Sequence, residues 1–326
     1  MTFLLRRVGF YLLTAWIAVT INFFLPRLTP GNPLDLILTR YRSEATPTQV
    51  HSLEATFGLE TNQGLFSQYL HYLNQILHGN LGISIAYFPE KVSTVIAHAL
   101  PWTIVLVGTA TVIAFAGGTL IGIAVAWRRG TWTDGILPVT TFFSAVPYFW
   151  MALIILSVFA VSLHWFPVAG GYSNSTTPGW NLPFIGSAVY HGFLPAITII
   201  ISSIASWILG MRNMMVTTLD EEYVQLAHAK GLSNRRVMYT YAARNAILPN
   251  LAGFALALGF VVGGSIVTEI VFSYPGIGFI LFNAVGNEDF PLMQGIFLVI
   301  TLTVLAANLI ADFCYVLLDP RTSEAA

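Results

Sequence analysis

Long stretches without a formal charge alternate along this chain with shorter stretches that collect its charged and polar residues. No Asp, Glu, Lys or Arg occurs between Lys91 and Arg128, nor between Asp134 and Arg212. A helix needs about 20 apolar residues to cross the hydrocarbon of a bilayer, because its amides must all be paired within the segment. The pattern therefore predicts an all-α integral membrane protein with about six transmembrane helices, near Val8–Leu25, Pro101–Trp127, Ile136–Leu163, Gly192–Met215, Leu251–Val271 and Leu292–Leu317.

The connections between these spans set the predicted organisation of the chain. Gly, Pro and Asn residues collect within 166–191 and separate the third span from the fourth. Short helices are expected around Pro47–Phe57 and Leu65–Leu77, on the side of the membrane opposite the termini. The predicted parts are a first transmembrane helix in 1–28, an extracytoplasmic segment in 29–98, and a core of five transmembrane helices in 99–320 with a cytoplasmic loop at 216–249.

Composition agrees with a membrane protein. The chain of 326 residues is 56% hydrophobic and 9% charged, whereas soluble domains carry roughly 25% charged residues. The net charge is −1 and no basic cluster stands out, so nothing indicates nucleic acid binding. The single cysteine, Cys314, allows no intrachain disulfide. The first apolar run is longer than a usual signal-peptide core and lacks a small-x-small cleavage site, which favours an uncleaved span.

The distribution of Lys and Arg predicts the orientation, because cytoplasmic loops are enriched in both. With six spans the two termini share one side of the membrane. That side holds Arg6, Arg7, Arg128, Arg129, Arg212, Lys230, Arg235, Arg236, Arg244 and Arg321, and the other holds Arg27, Arg40, Arg42 and Lys91. Both termini are therefore expected in the cytoplasm.

The cytoplasmic loop has the signals of two short helices joined by a sharp turn. Thr218 or Asp220 is expected to cap the first helix, and Gly231 to stop it. Ser233 is expected to cap the second. Small residues at Ala227, Ala229 and Gly231 allow another backbone to approach closely, so the loop is suited to docking.

At this point the sequence resembles a known family. The string EYVQLAHAKGLSNRRV, followed by RNAILPNL, resembles the coupling loop of binding-protein-dependent ABC importer permeases of the dipeptide, oligopeptide and nickel branch. Ala227, Gly231 and the run Ile247-Leu248-Pro249 match the general permease pattern. Gln225 and Leu226 replace its Glu and first Ala, as is typical of the peptide branch. Similar strings occur along nearly the whole chain, among them LTPGNPLDLIL, VTEIVFSYPGIGFILFNAV and DFCYVLLDPR.

The resemblance implies a type I ABC importer permease fold and a non-catalytic subunit that works by alternating access. It implies a second homologous permease chain, two ATPase subunits or domains that hold ATP and magnesium, and an extracytoplasmic substrate-binding protein, all at a prokaryotic inner membrane. Neither lysine of the chain lies in a nucleotide-binding loop. No cofactor or metal is expected on this chain. The residues expected to meet the ATPase are Tyr223, Leu226, Ala227, Ala229, Lys230, Gly231 and Leu232.

Several alternatives stay open from the sequence. Peptides are the first choice of cargo, and oligosaccharides or nickel chelates are the alternatives within the branch. A secondary transporter is a rival of a different class, but the span centres lack the acids that ion coupling needs. A membrane-embedded enzyme is a second rival. It would need His, Asp or Ser and Lys clustered in one site, and the sequence shows no such cluster. A structural role is favoured for Glu269 and Asp312, since both lie near the ends of spans.

Three further groups have two readings. Arg235, Arg236 and Arg244 contact either the ATPase or anionic lipid, and lipid is favoured. The glycines of the second span, Gly108, Gly117, Gly118 and Gly122, are expected to serve close helix packing. The outer aromatic residues suit either sugar faces or an interfacial belt: Trp165, Phe166, Tyr172, Trp180, Phe184 and Tyr190. The residues of the translocation path are not predicted.

Overall fold

The computed structural model of the chain describes residues 2–28, 64–263 and 265–318, and the helix expected around Pro47–Phe57 lies outside these ranges. Within them the secondary structure is helical, apart from one isolated β-bridge between Ile83 and Lys91. Among the described residues, four helices are long and apolar enough to cross a membrane, and two bent helix pairs make six if each pair is one span. The prediction of an all-α membrane protein with about six spans is confirmed.

The first two helices pack together at one end of the molecule. Helix α1 covers Thr2–Leu28, and α2 covers Leu65–Leu77, as predicted for the outer segment. Asn22 and Gln294 join α1 to the last helix through a reciprocal pair of hydrogen bonds. The Asn22 side-chain amide donates to the Gln294 carbonyl at 2.8 Å, and the Gln294 amide donates to the Asn22 carbonyl at 3.0 Å.

The second span begins earlier than predicted. Helix α3 covers Val92–Trp127, so Pro101 lies inside it and does not mark its start. The added turns bury apolar side chains of α3, including Val92, Val95 and Ile96, against Ile277 and neighbouring residues of the last two helices. This burial outweighs the local cost of an interior proline, which removes one backbone hydrogen bond.

The third span is broken, which corrects the prediction of one helix over 136–163. Helix α4 covers Ile136–Ala145, and α5 covers Tyr148–Ile155 and continues as a π-helix over Leu156–Ser162. The two parts meet at 97°. Pro147 lies at the break and has no amide hydrogen to donate, and a proline disfavours the helical conformation of the residue before it. Val146 accordingly has an extended backbone.

The fourth span extends past the predicted range at both ends. Helix α6 covers Leu182–Leu219. Asn181 starts it, because the Asn181 side-chain oxygen accepts a hydrogen bond of 2.9 Å from the amide of Phe184. Pro183 falls in the first turn, where a missing amide hydrogen costs nothing. This proline was expected in a loop, and it belongs instead to the helix start.

The fifth span begins within the predicted cytoplasmic loop, so its expected start at Leu251 is wrong. Helix α7 covers Glu222–Ala229. After a turn, the chain forms α8 (Asn234–Arg236), a π-helix (Val237–Ala243), α9 (Arg244–Gly259), a 3-10 turn (Val261–Gly263) and α10 (Ile266–Val271). The two halves of this span meet at 40°. Burial of Val237, Ala242 and Ala246 against α3 and α6 explains the earlier start.

A short helix precedes the sixth span. Helix α11 covers Ile277–Gly286 and α12 covers Phe290–Leu318. A bend at Pro275 and Gly276 precedes α11. The predicted sixth span, Leu292–Leu317, agrees with α12 to within two residues.

Two of the four predicted glycines, Gly118 and Gly122, allow α3 and α6 to approach each other closely, whereas a Cβ atom on Gly108 or Gly117 would make only ordinary contacts. A Cβ atom on Gly118 would lie 2.5 Å from the Cβ of Trp207, and one on Gly122 would lie 2.7 Å from the carbonyl oxygen of Ile208. Such distances are too short for any side chain. The α3–α6 pair is therefore a close-packed centre about which the other helices are arranged.

Candidate functional site

The predicted coupling loop contains the short helix α7, and its end is defined by backbone hydrogen bonds. The Gly231 amide donates to the His228 carbonyl at 2.9 Å, and the Leu232 amide donates to the Ala227 carbonyl at 3.3 Å. Gly231 has a φ of +73°, which glycine adopts at little cost. These bonds and this φ form a Schellman motif, so the predicted stop at Gly231 is confirmed.

The predicted first cap of this loop is wrong. Glu221 occupies the cap position of α7 with an extended backbone, and Glu222 lies in the first turn, where the helix dipole favours a negative charge. The Thr218 hydroxyl donates instead to the Met214 carbonyl inside α6. Asp220 ends α6, and its carbonyl accepts a hydrogen bond from the Gln225 side chain. The three acidic residues at 220–222 lie where only a short turn separates two helices, so the sequence did not show where α6 ends and α7 begins.

Two side chains attach α7 to the rest of the protein. Val224 and Ala227 are buried in an apolar cluster at this end of the molecule. The cluster draws on the ends of three transmembrane helices, with Ile123 and Ala126 from α3, Met211 and Met215 from α6, and Val237, Ala242, Ala243 and Ala246 from the start of the fifth span. A displacement of α7 would therefore act on three spans together, because close-packed side chains transmit strain.

Polar and aromatic contacts hold α7 on the same neighbours. The side-chain amide of Asn245 donates to the Tyr223 hydroxyl at 2.9 Å. The His228 ring stacks on the Trp127 ring with centroids 6.1 Å apart. Arg129 and Asp220 form an ion pair at 3.4 Å, but their side chains are 55% and 64% exposed, and such a pair contributes little to stability.

The predicted contact residues separate into an inner and an outer set. Ala227 is buried and Leu232 is half-buried on the apolar cluster, so these two seat the helix. The other five lie on the exposed side of the loop: Tyr223, Leu226, Ala229, Lys230 and Gly231. Leu226 is 55% exposed, which is a large exposure for an apolar residue at the centre of a short helix. Arg235, Arg236 and Arg244 are also exposed next to this surface.

Glu269, at the opposite end of the fifth span, is held by hydrogen bonds within the protein, which agrees with the structural role favoured from the sequence. Glu269 is fully buried. One of its oxygens accepts a hydrogen bond from the Thr103 hydroxyl at 2.9 Å, and the other accepts one from the Gly278 amide at 2.6 Å. The Thr103 oxygen in turn accepts from the Ile277 amide at 2.7 Å. Glu269 and Thr103 thereby tie α10 and α3 to the start of α11. The side chain of Asp312 lies outside the described part of the chain.

Asp289 makes a second buried carboxylate junction, which the sequence analysis missed. Its Oδ2 accepts hydrogen bonds from the Ser84 hydroxyl and from the Ala86 amide, and its Oδ1 accepts one from the Leu292 amide. Asp289 thus caps α12 and fastens the segment before α3 to it. The run Asp-Phe-Pro at 289–291 was an available signal, since aspartate followed by a proline in the first turn is typical of a helix start.

Half of the six predicted outer aromatic residues pack on the protein itself. The Trp102 ring stacks on Tyr172 at 5.8 Å, and its edge contacts Phe184 and Tyr274. Phe166 stacks on Phe193 at 4.9 Å. Trp165, Trp180 and Tyr190 are exposed. The six predicted aromatic residues are therefore divided between a packed cluster and an exposed rim.

Among the residues that the structure describes, no group of three or more His, Cys, Asp or Glu side chains is arranged to hold a metal ion. The arrangement thus consists of an exposed short helix at one end, rigid carboxylate junctions at the other, and a glycine-packed helix pair between them.

The chain is similar in sequence to several known transport proteins. Residues 118–324 match the family described as binding-protein-dependent transport system inner membrane component. The chain is 35% identical to the di/tripeptide transport system permease protein DppB of Pseudomonas aeruginosa, with 98% of each chain covered. It is 36% identical to a putative peptide permease protein of Brucella ovis, with 94% of each covered, and 31% identical to the oligopeptide transport system permease protein AppB of Bacillus subtilis, with 92% of each covered.

Proposed function

The chain belongs to the family of inner membrane components of binding-protein-dependent transport systems, and on this premise we propose that it forms the translocation path of an ATP-driven importer for di- and oligopeptides. It acts by alternating access. The exposed side of α7 receives the movement of an ATPase, and the apolar cluster under α7 passes that movement to three spans. The observation that carries this proposal is the position of α7, exposed on one side and anchored on the other by Val224 and Ala227.

Peptide cargo is supported by the relatives, which are named as di/tripeptide, peptide and oligopeptide permeases. No observation favours the oligosaccharides or nickel chelates that the sequence left open. Secondary transporters commonly place acidic groups, or broken helices, near the bilayer midplane for ion coupling. Both oxygens of Glu269 are instead engaged by Thr103 and Gly278.

The remaining partners are those that the family implies, and the chain itself has no nucleotide-binding loop in its sequence. ATP and magnesium are held by two separate ATPase subunits or domains, a second homologous permease chain completes the path, and an extracytoplasmic binding protein delivers the cargo. Both termini lie in the cytoplasm, so 29–98 is extracytoplasmic and 216–249 faces the ATPase. Of the predicted contact residues, Tyr223, Leu226, Ala229, Lys230 and Gly231 form the docking surface.

The proposal is tested with the complete complex reconstituted in proteoliposomes, by measuring uptake of a labelled tripeptide and hydrolysis of ATP. Leu226→Asp places a charge at the centre of the docking surface. Loss of an apolar anchor at such a surface costs more than about 1.4 kcal/mol, which corresponds to roughly a tenfold loss of affinity. We expect binding-protein-stimulated hydrolysis and uptake to fall by about that factor or more.

Leu226→Met is the matched control, since it keeps an apolar side chain of similar volume, and it is expected to retain both activities. Wild-type uptake that persists without ATP, or without an ATPase subunit, would refute the importer. Normal coupling in Leu226→Asp would refute only the docking surface.

A further inference from the structure

Helix α2 is amphipathic and carries no formal charge. One side of the helix is apolar, with Leu65, Phe66, Tyr69, Leu70, Leu73, Ile76 and Leu77, and the other is polar, with Ser67, Gln68, His71, Asn74 and Gln75. Several of the apolar side chains are not covered by the protein. Phe66 is 74% exposed and Leu77 is 83% exposed. A short helix in water does not keep such residues exposed without a cost in free energy.

Two tyrosines hold α2 against the end of α1. The hydroxyls of Tyr69 and Thr20 lie 2.7 Å apart, and the Asn22 side-chain amide donates to the Tyr72 hydroxyl at 3.2 Å. The fully buried ring of Phe23 packs against both tyrosines, with centroids 5.2 and 5.5 Å away. The position of α2 relative to α1 is therefore fixed by hydrogen bonds and ring contacts together.

A groove remains between the two helices. It has a volume of about 300 Å³ and is lined by Thr20, Phe24, Leu65, Phe66 and Tyr69, almost entirely through apolar atoms. The apolar span of α1 runs from Arg6 to Phe24, and about 20 residues cross the hydrocarbon. Thr20 and Phe24 thus lie at the margin of the hydrocarbon, and the groove opens at the depth where acyl chains meet headgroups.

We infer that α2 lies in the membrane interface and that the groove binds an acyl chain of a phospholipid in the adjacent leaflet. This leaflet is the extracytoplasmic one in the orientation proposed above. The lipid is favoured over a protein partner because the exposed apolar face of α2 continues the exposed face of α1, which carries Ile17, Ile21 and Phe24. An uncharged amphipathic helix with its apolar face at the acyl boundary is the arrangement expected of an interfacial helix. Helix α2 therefore lies at the membrane surface and not free in the extracytoplasmic space.

The inference is tested by photo-crosslinking in the complete complex within native membranes. The photoreactive residue benzoylphenylalanine replaces Phe66 in one variant and Asn74, on the polar side of α2, in the other. After irradiation the chain is digested and its peptides are analysed by mass spectrometry. We expect a phospholipid adduct on the peptide that carries position 66 and none on the peptide that carries position 74.

An adduct from position 66 to residues 29–63, to another subunit or to the binding protein would overturn the inference, as would equal lipid labelling at both positions. A second measurement covers the case in which neither variant gives an adduct. Spin labels at Phe66→Cys and Asn74→Cys, in a Cys314→Ser background, report collisions with oxygen and with a water-soluble nickel complex. We expect the ratio of oxygen collisions to nickel-complex collisions to be several-fold higher at position 66 than at position 74. Equal ratios at the two positions would refute the inference. Neither experiment depends on which cargo is transported.

Discussion

The Thr103 hydroxyl donates a hydrogen bond of 2.9 Å to the carboxyl group of Glu269, across 166 positions of the sequence. The same hydroxyl oxygen accepts a hydrogen bond from the Ile277 amide. One side chain of α3 therefore connects the second half of the fifth span, α10, to the helix that follows it. Both residues are fully buried, so each hydrogen bond of the carboxylate junction matters more than a hydrogen bond at the surface.

Thr103→Val is expected to destabilise the complex. Valine has the shape of threonine but leaves the Ile277 amide and one Glu269 oxygen without a partner, at about 1–3 kcal/mol for each buried group. The measurement is the melting temperature of the purified complex. Thr109→Val is the control, since the Thr109 hydroxyl bonds only to carbonyls of its own helix. Equal melting temperatures for the two variants would show that the junction contributes nothing.

Adjacent glycines of α3 are expected to differ sharply in their tolerance of alanine. The Cβ of Gly118→Ala would clash with Trp207 at 2.5 Å, whereas that of Gly117→Ala would meet only the tip of Ile204 at an ordinary 3.6 Å. Overpacking of this kind costs about 1–3 kcal/mol. We expect a lower melting temperature and less assembled complex for Gly118→Ala alone. If both variants assemble like wild type, α3 and α6 are not in close contact at Gly118.

Local signals were sufficient where the structure depends on neighbouring residues. Gly231 ends α7 because glycine accepts a positive φ, and that requirement is visible in the sequence. The prolines show where local reading fails. Pro183 starts a helix, Pro101 lies inside one, and Pro147 separates two that meet at 97°. Whether a proline starts, interrupts or lies within a helix depends on which neighbouring side chains become buried. Those side chains are buried against helices that are distant in the sequence.

The buried carboxylates show the same limit for the site. Glu269 could be noticed as an acid near the end of a span, but its partners come from α3 and α11. The separation of the predicted loop residues into a buried Ala227 and an exposed Leu226 also required the positions of α3, α6 and α9. The sequence predicted which residues belong to the loop. Which of them face the solvent and which face the protein depends on the packing of α7.

Asp289→Asn is expected to loosen the segment before α3. The two carboxyl oxygens of Asp289 accept from three donors, on Ser84, Ala86 and Leu292. Asparagine has a single acceptor oxygen, so its amide would face at least one of these donors. We expect faster hydrogen exchange in peptides that cover residues 80–91. Glu288→Gln, a similar change one residue earlier, is the control and is expected to leave this exchange unchanged. Unchanged exchange in both variants would contradict the role of Asp289.

Gly231→Ala is expected to uncouple ATP hydrolysis from uptake. No neighbouring atom lies within 4 Å of the position where the Cβ would stand, so the change introduces no clash. The strain arises from the φ of +73°, which costs an alanine about 1–2 kcal/mol. This strain acts on the Schellman turn that fixes the end of α7. We expect less tripeptide taken up per ATP hydrolysed in proteoliposomes, with the complex still assembled.

Gly130→Ala separates this effect from strain in general. Gly130 also has a positive φ, +79°, with nothing near its Cβ position, but it lies in the turn after α3 and not on α7. If coupling depends on the orientation of α7, Gly130→Ala should keep the wild-type ratio of uptake to hydrolysis while Gly231→Ala lowers it. Equal ratios in the two variants would mean that the end of α7 does not govern coupling, and the docking surface would then have to be sought elsewhere on the cytoplasmic face.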